Sequence, residues 1–357
     1  MFADLSDAEL GQRLASRTLE LIDIASESRG EAALAAHVQK LLGARDAGDT
    51  CVLLDPSGPQ DAPLVFLAGH LDTVPAQDNI PGSYDGTAVH GLGASDMKSA
   101  LAVMIEAGLA VSSFVAARVG LCFFGREELP AAESTLTPLL SRERTLHEAD
   151  LVLVMEPTAN ELHAGCLGNI NATWTFTGRS GHSARPWQAD NAIEHAARAI
   201  AALTDAAPPV EHVFDGLTFT EVISVTQING GIAQNVIPDR VECHVNHRYA
   251  PGTSPADAEA RLVALCGAPD SELTITSNAP SGAVCVADEL VQRLVATGDL
   301  TVAPKQAWTP VAEFTAAGIS AVNFGPGDPI HAHQRDEQVS VDALVRCART
   351  LDRFLSG

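Results

Sequence analysis

The chain has 357 residues, with 45 acidic side chains against 22 basic ones and a formal net charge of −23. At about 150 residues per domain the length suggests two domains, and 46% hydrophobic with 19% charged residues is a globular composition that argues against extensive disorder. So large a negative surplus excludes non-specific binding to nucleic acid or anionic lipid, and no apolar run reaches the ~18 residues of a membrane span.

The opening MFADLSDAEL has neither a basic n-region nor an apolar h-region, so no signal peptide is expected. Ser6-x-x-Glu9 reads as a capping box, and Leu10, Leu14, Leu21 and Ile24 continue an apolar helical stripe. A second helix is expected over 31–42. Short apolar runs at 64–68, 120–124 and 151–155 read as strands of a central sheet covered on both faces, with a long helix over 97–111 between the first two. This alternation predicts an α/β domain.

The pattern changes after Gly168. Residues 169–177 alternate like a half-exposed strand, and 191–203 form an alanine-rich helix. Strands over 220–228 and 240–248, a helix after Ser254 and a strand over 273–277 follow. That βαββαβ order is ferredoxin-like. A strand over 321–324 and a helix over 341–355 then resume the first pattern. The expectation is a discontinuous α/β domain, 1–168 and 280–357, carrying an inserted α+β domain over 169–279. The seven cysteines are scattered without a C-x-x-C pair, as suits reduced thiols in a cytoplasmic protein.

Several titratable residues stand where apolar strands or turns end. His70 and Asp72 follow the 64–68 run, and a carboxylate near a histidine can orient its ring. Asp96 follows the glycine-rich Gly91–Gly93 turn and opens a helix. Glu127 and Glu128 are adjacent like charges beyond a buried strand, an unfavourable pair unless a cation or a proton neutralises one. Glu156 ends another apolar run, before Pro157, and His331-x-His333 lies near the C-terminus. Each alone has an ordinary reading as a surface turn, a helix cap or a solvated loop. Together, histidines and carboxylates without thiolates suit zinc, cobalt or manganese, and five strong candidates are enough for two ions.

These motifs resemble those of the M20 metallopeptidases, and most closely the actinobacterial-type succinyl-diaminopimelate desuccinylases. The likeness runs from Ile24-Ala25-Ser26-Glu27-Ser28 to the final helix and takes in Gly165–Asn169, His182–Arg185, Asp190–Ala192 and Asn323–Pro329. It implies a zinc-peptidase-like catalytic domain with an inserted ferredoxin-like dimerisation, or lid, domain. It also implies two divalent metals: zinc first, with cobalt or manganese as alternatives. His70 and Glu156 would hold one, Glu128 and His333 the other, and Asp96 would bridge. His331 is the fallback for His333, which lies four residues before Glu337 as in relatives. Asp72 would support His70, and Glu127 would be the general base. His182, acting across a homodimer interface, would meet the developing oxyanion. Asn235 and Arg248 would contact substrate, Arg248 through a carboxylate. The Phe324–Gly327 stretch, with Gly325, would let backbone approach the substrate.

The implied reaction is hydrolysis of N-succinyl-LL-2,6-diaminopimelate to succinate and LL-diaminopimelate, in lysine and cell-wall precursor synthesis. Alternatives are deacylation of another N-acyl amino acid such as acetylornithine, a dipeptidase activity, or a silent binding homologue. The sequence departs from the desuccinylase pattern at Trp308–Phe314, where Pro310 stands for an aspartate and Glu313 for an arginine. A glutamate there is expected to repel an acidic substrate.

Overall fold

A computed structural model describes residues 4–357; residues 1–3, which begin the segment read for a leader, lie outside the described residues. The chain divides into two compact units. One comprises the residues up to 165 together with 283–305 and 309–357, the other 166–282 with 306–308.

The first unit is built on an eight-stranded sheet. Leu64–His70 lies at its centre, parallel to Arg118–Phe124 on one side and to Leu151–Val154 on the other, and Ala321–Asn323 extends the parallel core. Alternate residues of Leu64–His70 serve opposite faces. Leu64, Phe66 and Ala68 join a cluster with Leu136, Leu139, Val311 and Phe314. Gly69 faces the other way, against Met97, Leu101 and Met104. A strand buried on both faces needs apolar residues throughout, which is why these segments read as unbroken hydrophobic runs. The helices Asp7–Ile22, Lys98–Leu109 and Val341–Ser356 pack on one another. The first is capped as expected: Ser6 N–H donates to Glu9 Oε2 (2.9 Å) and Glu9 N–H donates to Ser6 Oγ (3.3 Å).

Additions to the expected elements are mostly short or weakly apolar. Arg45–Gly48 and Cys51–Ser57 form an antiparallel edge, Ala88–His90 pairs with Ser83–Tyr84 and Gln338–Ser340, and Glu289–Gly298 is a further helix.

The second unit has a five-stranded antiparallel sheet in the spatial order Val210–Phe214, Leu217–Gly230, Arg240–Tyr249, Gly168–Thr177, Ser271–Ala279. Without Val210–Phe214 this is the βαββαβ arrangement. Ile170, Trp174, Phe176, Val241 and Val245 cover one face and pack with Ala196 and Leu203 of the helix Ala192–Ala206 and Leu262 of Pro255–Leu265. Among the described residues no helix is long and apolar enough to cross a membrane.

Candidate metal centre

Six of the residues singled out from the sequence meet in the first unit. His70 ends the central strand, and its Nδ1–H donates to the backbone carbonyl of Asp72 (3.0 Å). Nε2 is thereby the ring nitrogen left for a ligand. It lies 3.1 Å from Asp96 Oδ1 and 3.8 Å from Glu156 Oε1. On the other side, His333 Nε2 lies 3.0 Å from Glu128 Oε1 and 3.6 Å from Asp96 Oδ2. The two oxygens of Asp96 therefore face different histidines. Ligand atoms of His70, Asp96 and Glu156 lie within 4.8 Å of one another, as do those of Asp96, Glu128 and His333, and of His70, Glu127 and Glu128. His331 enters no such group among the described residues.

Asp72 is fully buried and organises the cluster from below. Its carboxylate accepts from the backbone N–H of Glu127 (3.0 Å) and of Glu128 (3.1 Å) and from Ser28 Oγ (2.8 Å). One side chain thus fixes the loop that carries both glutamates. Burial pushes Asp72 up, but His70, the Glu127 N–H and Ser28 outweigh it and hold the carboxyl below its ordinary value. Sequence reasoning quoted Ser28 only within a family-like stretch; its contact with Asp72 depends on an approach across 44 positions.

The electrostatics of the cluster are those of crowded carboxylates around two imidazoles. Burial and then Asp96 raise Glu156 to about 7. Burial, followed by the charge of Glu156, lifts Glu127 well above the carboxyl range. Hydrogen bonding to Asp96 and Glu128 raises His333 to about 10. Glu156 Oε1 is buried without a hydrogen-bond partner. A surplus of acids over bases, with a buried oxygen left over, is stabilised by cations. The donor set of imidazole and carboxylate fits divalent zinc, cobalt or manganese.

The remaining singled-out residues have other settings. Gly325 is buried at the point where a Cβ would lie 2.4 Å from the carbonyl oxygen of Met155 and 2.5 Å from that of Glu156. Its N–H donates to Thr158 Oγ1 and its carbonyl accepts from Asn160 N–H. Its backbone thus packs closely on the strand end that bears Glu156. Glu313, expected to repel an acidic substrate, is 7% exposed and accepts from Ser134 Oγ (3.1 Å) and Thr137 Oγ1 (2.5 Å). No basic side chain among the described residues pairs with it, and burial raises its carboxyl.

In the second unit, His182 is exposed and its Nδ1 accepts from Ala184 N–H (3.1 Å), while Asn235 is exposed and its carbonyl accepts from Ser183 N–H (3.0 Å). Arg248 is half-buried, and its Nε–H donates to Asn246 Oδ1 (3.0 Å). Asn246 Nδ2 in turn donates to Asn169 Oδ1 (2.7 Å) and Asn171 Oδ1 (2.9 Å). Among the described residues no carboxylate pairs with the Arg248 guanidinium.

Comparison with known proteins identifies the family. Residues 165–274 match the peptidase dimerisation domain of the M20 family. A Mycobacterium tuberculosis protein provisionally assigned as succinyl-diaminopimelate desuccinylase is 35% identical over 95% of this chain and 97% of its own. The succinyl-diaminopimelate desuccinylase of Corynebacterium glutamicum is 36% identical over 83% of this chain and 81% of its own. Among solved structures, an M20 metallo-carboxypeptidase from Sulfolobus solfataricus superposes with a TM-score of 0.76 at 16% identity, covering 96% of this chain and 98% of its own. The chain belongs to the M20 metallopeptidase family and is a hydrolase of amide bonds.

Proposed function

We propose that this enzyme removes the succinyl group from N-succinyl-LL-2,6-diaminopimelate, using two divalent cations, zinc by preference. His70 and Glu156 would hold one cation, Glu128 and His333 the other, and Asp96 would be shared between them. The observation that carries this reading is the placement of the two Asp96 oxygens, 3.1 Å from His70 Nε2 and 3.6 Å from His333 Nε2. When bound, the cations lower the pKa of a water and withdraw electron density from the acyl carbonyl.

The protein's own groups do the rest. Asp72 keeps the His70 ring in one orientation and holds the backbone of Glu127 and Glu128 in register. Glu127, with a carboxyl lifted by burial and by Glu156, is suited to hold a proton. It takes the proton from the attacking water and passes it to the departing amide nitrogen. Arg248, lacking an internal counter-ion and braced by Asn246, binds a substrate carboxylate through its planar fork. His182 supplies a donor to the acyl oxygen, and Asn235 contacts the substrate, from the partner subunit of a homodimer. The match to a dimerisation domain supports that assembly. So does the strand Leu217–Gly230, whose neighbour Val210–Phe214 pairs with only its first five residues. The uncovered remainder carries Ile228, 55% exposed, and an open edge of this kind is a ready surface for another chain. The cytoplasm is the compartment that suits scattered thiols, six buried and Cys285 half-buried.

A second reading is deacylation of another N-acyl amino acid. It is favoured by the missing arginine at position 313 and by a Xanthomonas campestris relative named N-acetyl-L-citrulline deacetylase, 29% identical over 87% of this chain. Purified, zinc-loaded protein assayed against N-succinyl-LL-diaminopimelate, N-acetylornithine, N-acetylcitrulline and a dipeptide separates the two. Fast turnover of the succinyl compound is expected. No turnover of it, with fast turnover of an acetyl compound, would establish the second reading.

A further inference from the structure

Glu337 is buried, 1% exposed, and no step above uses it. Its position follows from a strand pairing. Gln338–Ser340 runs antiparallel to Ala88–His90, which sets residues 91–96 beside the segment leading back to His333. The ladder continues one bond further, from Gly91 N–H to the Glu337 carbonyl (3.0 Å). There the backbone of 91–97 turns away and the side chain takes over. Glu337 Oε2 accepts from Gly93 N–H (2.9 Å), and Oε1 accepts from the N–H groups of Ser95 and Asp96 (2.8 Å each).

Other contacts tie the same segments together. Leu92 N–H donates to the Asn79 carbonyl, while Asn79 Nδ2 donates to Gln334 O (3.4 Å) and Gln77 Nε2 to His333 O (3.0 Å). Ser95 Oγ donates to Asp328 O (2.7 Å). Gly327 packs so closely that a Cβ there would lie 2.2 Å from Ser95 O. Of these contacts, only the Glu337 carboxylate reaches the backbone of Asp96 itself.

We propose that Glu337 is the positioning residue of the metal centre: it holds Asp96 so that one carboxylate oxygen faces His70 and the other faces His333. The inference rests on the ligand assignment proposed above. Its chemistry is specific to a carboxylate of this length. Three N–H donors converge on two oxygens, a geometry that suits an acceptor-only group. An amide would turn two N–H bonds toward at least one of those donors, and aspartate would fall short by a methylene. Because Asp96 is shared, misplacing it weakens both cation sites together.

The test is metal affinity of the metal-free full-length protein, titrated with Zn2+ against a chromophoric chelator, for wild type and Glu337→Gln. Wild type is expected to take up two equivalents. Glu337→Gln, with its circular dichroism spectrum retained, is expected to bind both about 10- to 100-fold more weakly, the range for losing a group that orients a ligand. A purely structural role would lower the melting temperature of the metal-free protein and leave affinity alone. Wild-type affinity in a folded Glu337→Gln protein overturns this inference while leaving the ligand assignment standing. A wild-type protein that takes up no zinc overturns the ligand assignment itself. Should Glu337→Gln not fold, Glu337→Asp serves instead: weakened uptake at both sites supports the inference and wild-type uptake overturns it.

Discussion

Glu313→Gln tests whether the charge at this position acts on the fold or on the substrate. The wild-type carboxylate is buried, faces two hydroxyls and has no cationic partner among the described residues. An unpaired buried carboxylate costs several kcal/mol, while making its hydrogen bonds neutral forfeits about 1 kcal/mol each. Glutamine fits the same space, keeps one acceptor oxygen and can donate to Ser134 Oγ or Thr137 Oγ1. The net expectation at pH 8 is stabilisation by about 1–2 kcal/mol, a rise of roughly 2–8 °C in melting temperature for a unit of about 240 residues. A carboxyl raised on folding stabilises fully below its ordinary value of 4.5 and loses that contribution as pH climbs through the folded value. The advantage of Glu313→Gln should therefore grow from pH 5 to pH 8. Thermal melts of both proteins across that range measure it, and an advantage independent of pH, or a loss at pH 8, would refute the reasoning. The same variant should keep KM for the succinyl substrate within about twofold of wild type. A tenfold fall would mean that the carboxylate faces the substrate after all.

The other expectations concern the centre and Arg248. Glu127→Gln should retain two equivalents of metal by elemental analysis and lose turnover by about 10²–10⁴, the usual scale for a general acid–base group; near-normal turnover would remove Glu127 from the proposed role. Asp72→Asn turns a donor toward Ser28 or one of two backbone N–H groups, so chelator competition should show metal affinity falling about 10- to 100-fold. Arg248→Lys keeps the charge but loses the fork and the Nε–H bond to Asn246, and should raise KM by about tenfold (~1.4 kcal/mol) with kcat little changed. A fall in kcat at constant KM would instead place Arg248 in the chemical step.

The sequence carried the parts of the fold where burial leaves a strong pattern. The runs at 64–68, 120–124 and 151–155 stand out because both faces of those strands are enclosed, and 169–177 alternates because one face is open. Cys51–Ser57 was harder to see, since Asp55 and Pro56 interrupt its apolar start. Ser83–Tyr84, Ala88–His90 and Gln338–Ser340 are too short to set up a period, and the pairing of the last two joins positions about 250 apart. At the centre, residue types at strand and turn ends single out His70, Asp96, Glu127, Glu128 and Glu156, whose side chains the fold brings close together. The choice of His333 over His331 rested on likeness to relatives, because spacing alone admits either. Ser28 and Glu337 could not be read as supports, since each acts through a tertiary contact with a partner distant in the chain. The packing of Gly325 on the carbonyls of Met155 and Glu156 likewise depends on a tertiary contact that the local pattern does not show.

Arg248 presents a lone guanidinium on a molecule of net charge −23. If Arg248 binds a substrate carboxylate as proposed, an anionic substrate meets two opposed fields: repulsion from the net negative charge at long range, and attraction at short range from that fork and from the cations of the centre. Salt shortens the reach of the first to about 8 Å at physiological ionic strength, and acts less on the second where water is partly excluded. Encounter with an anionic substrate should consequently speed up as moderate salt is added, the reverse of an electrostatically steered enzyme.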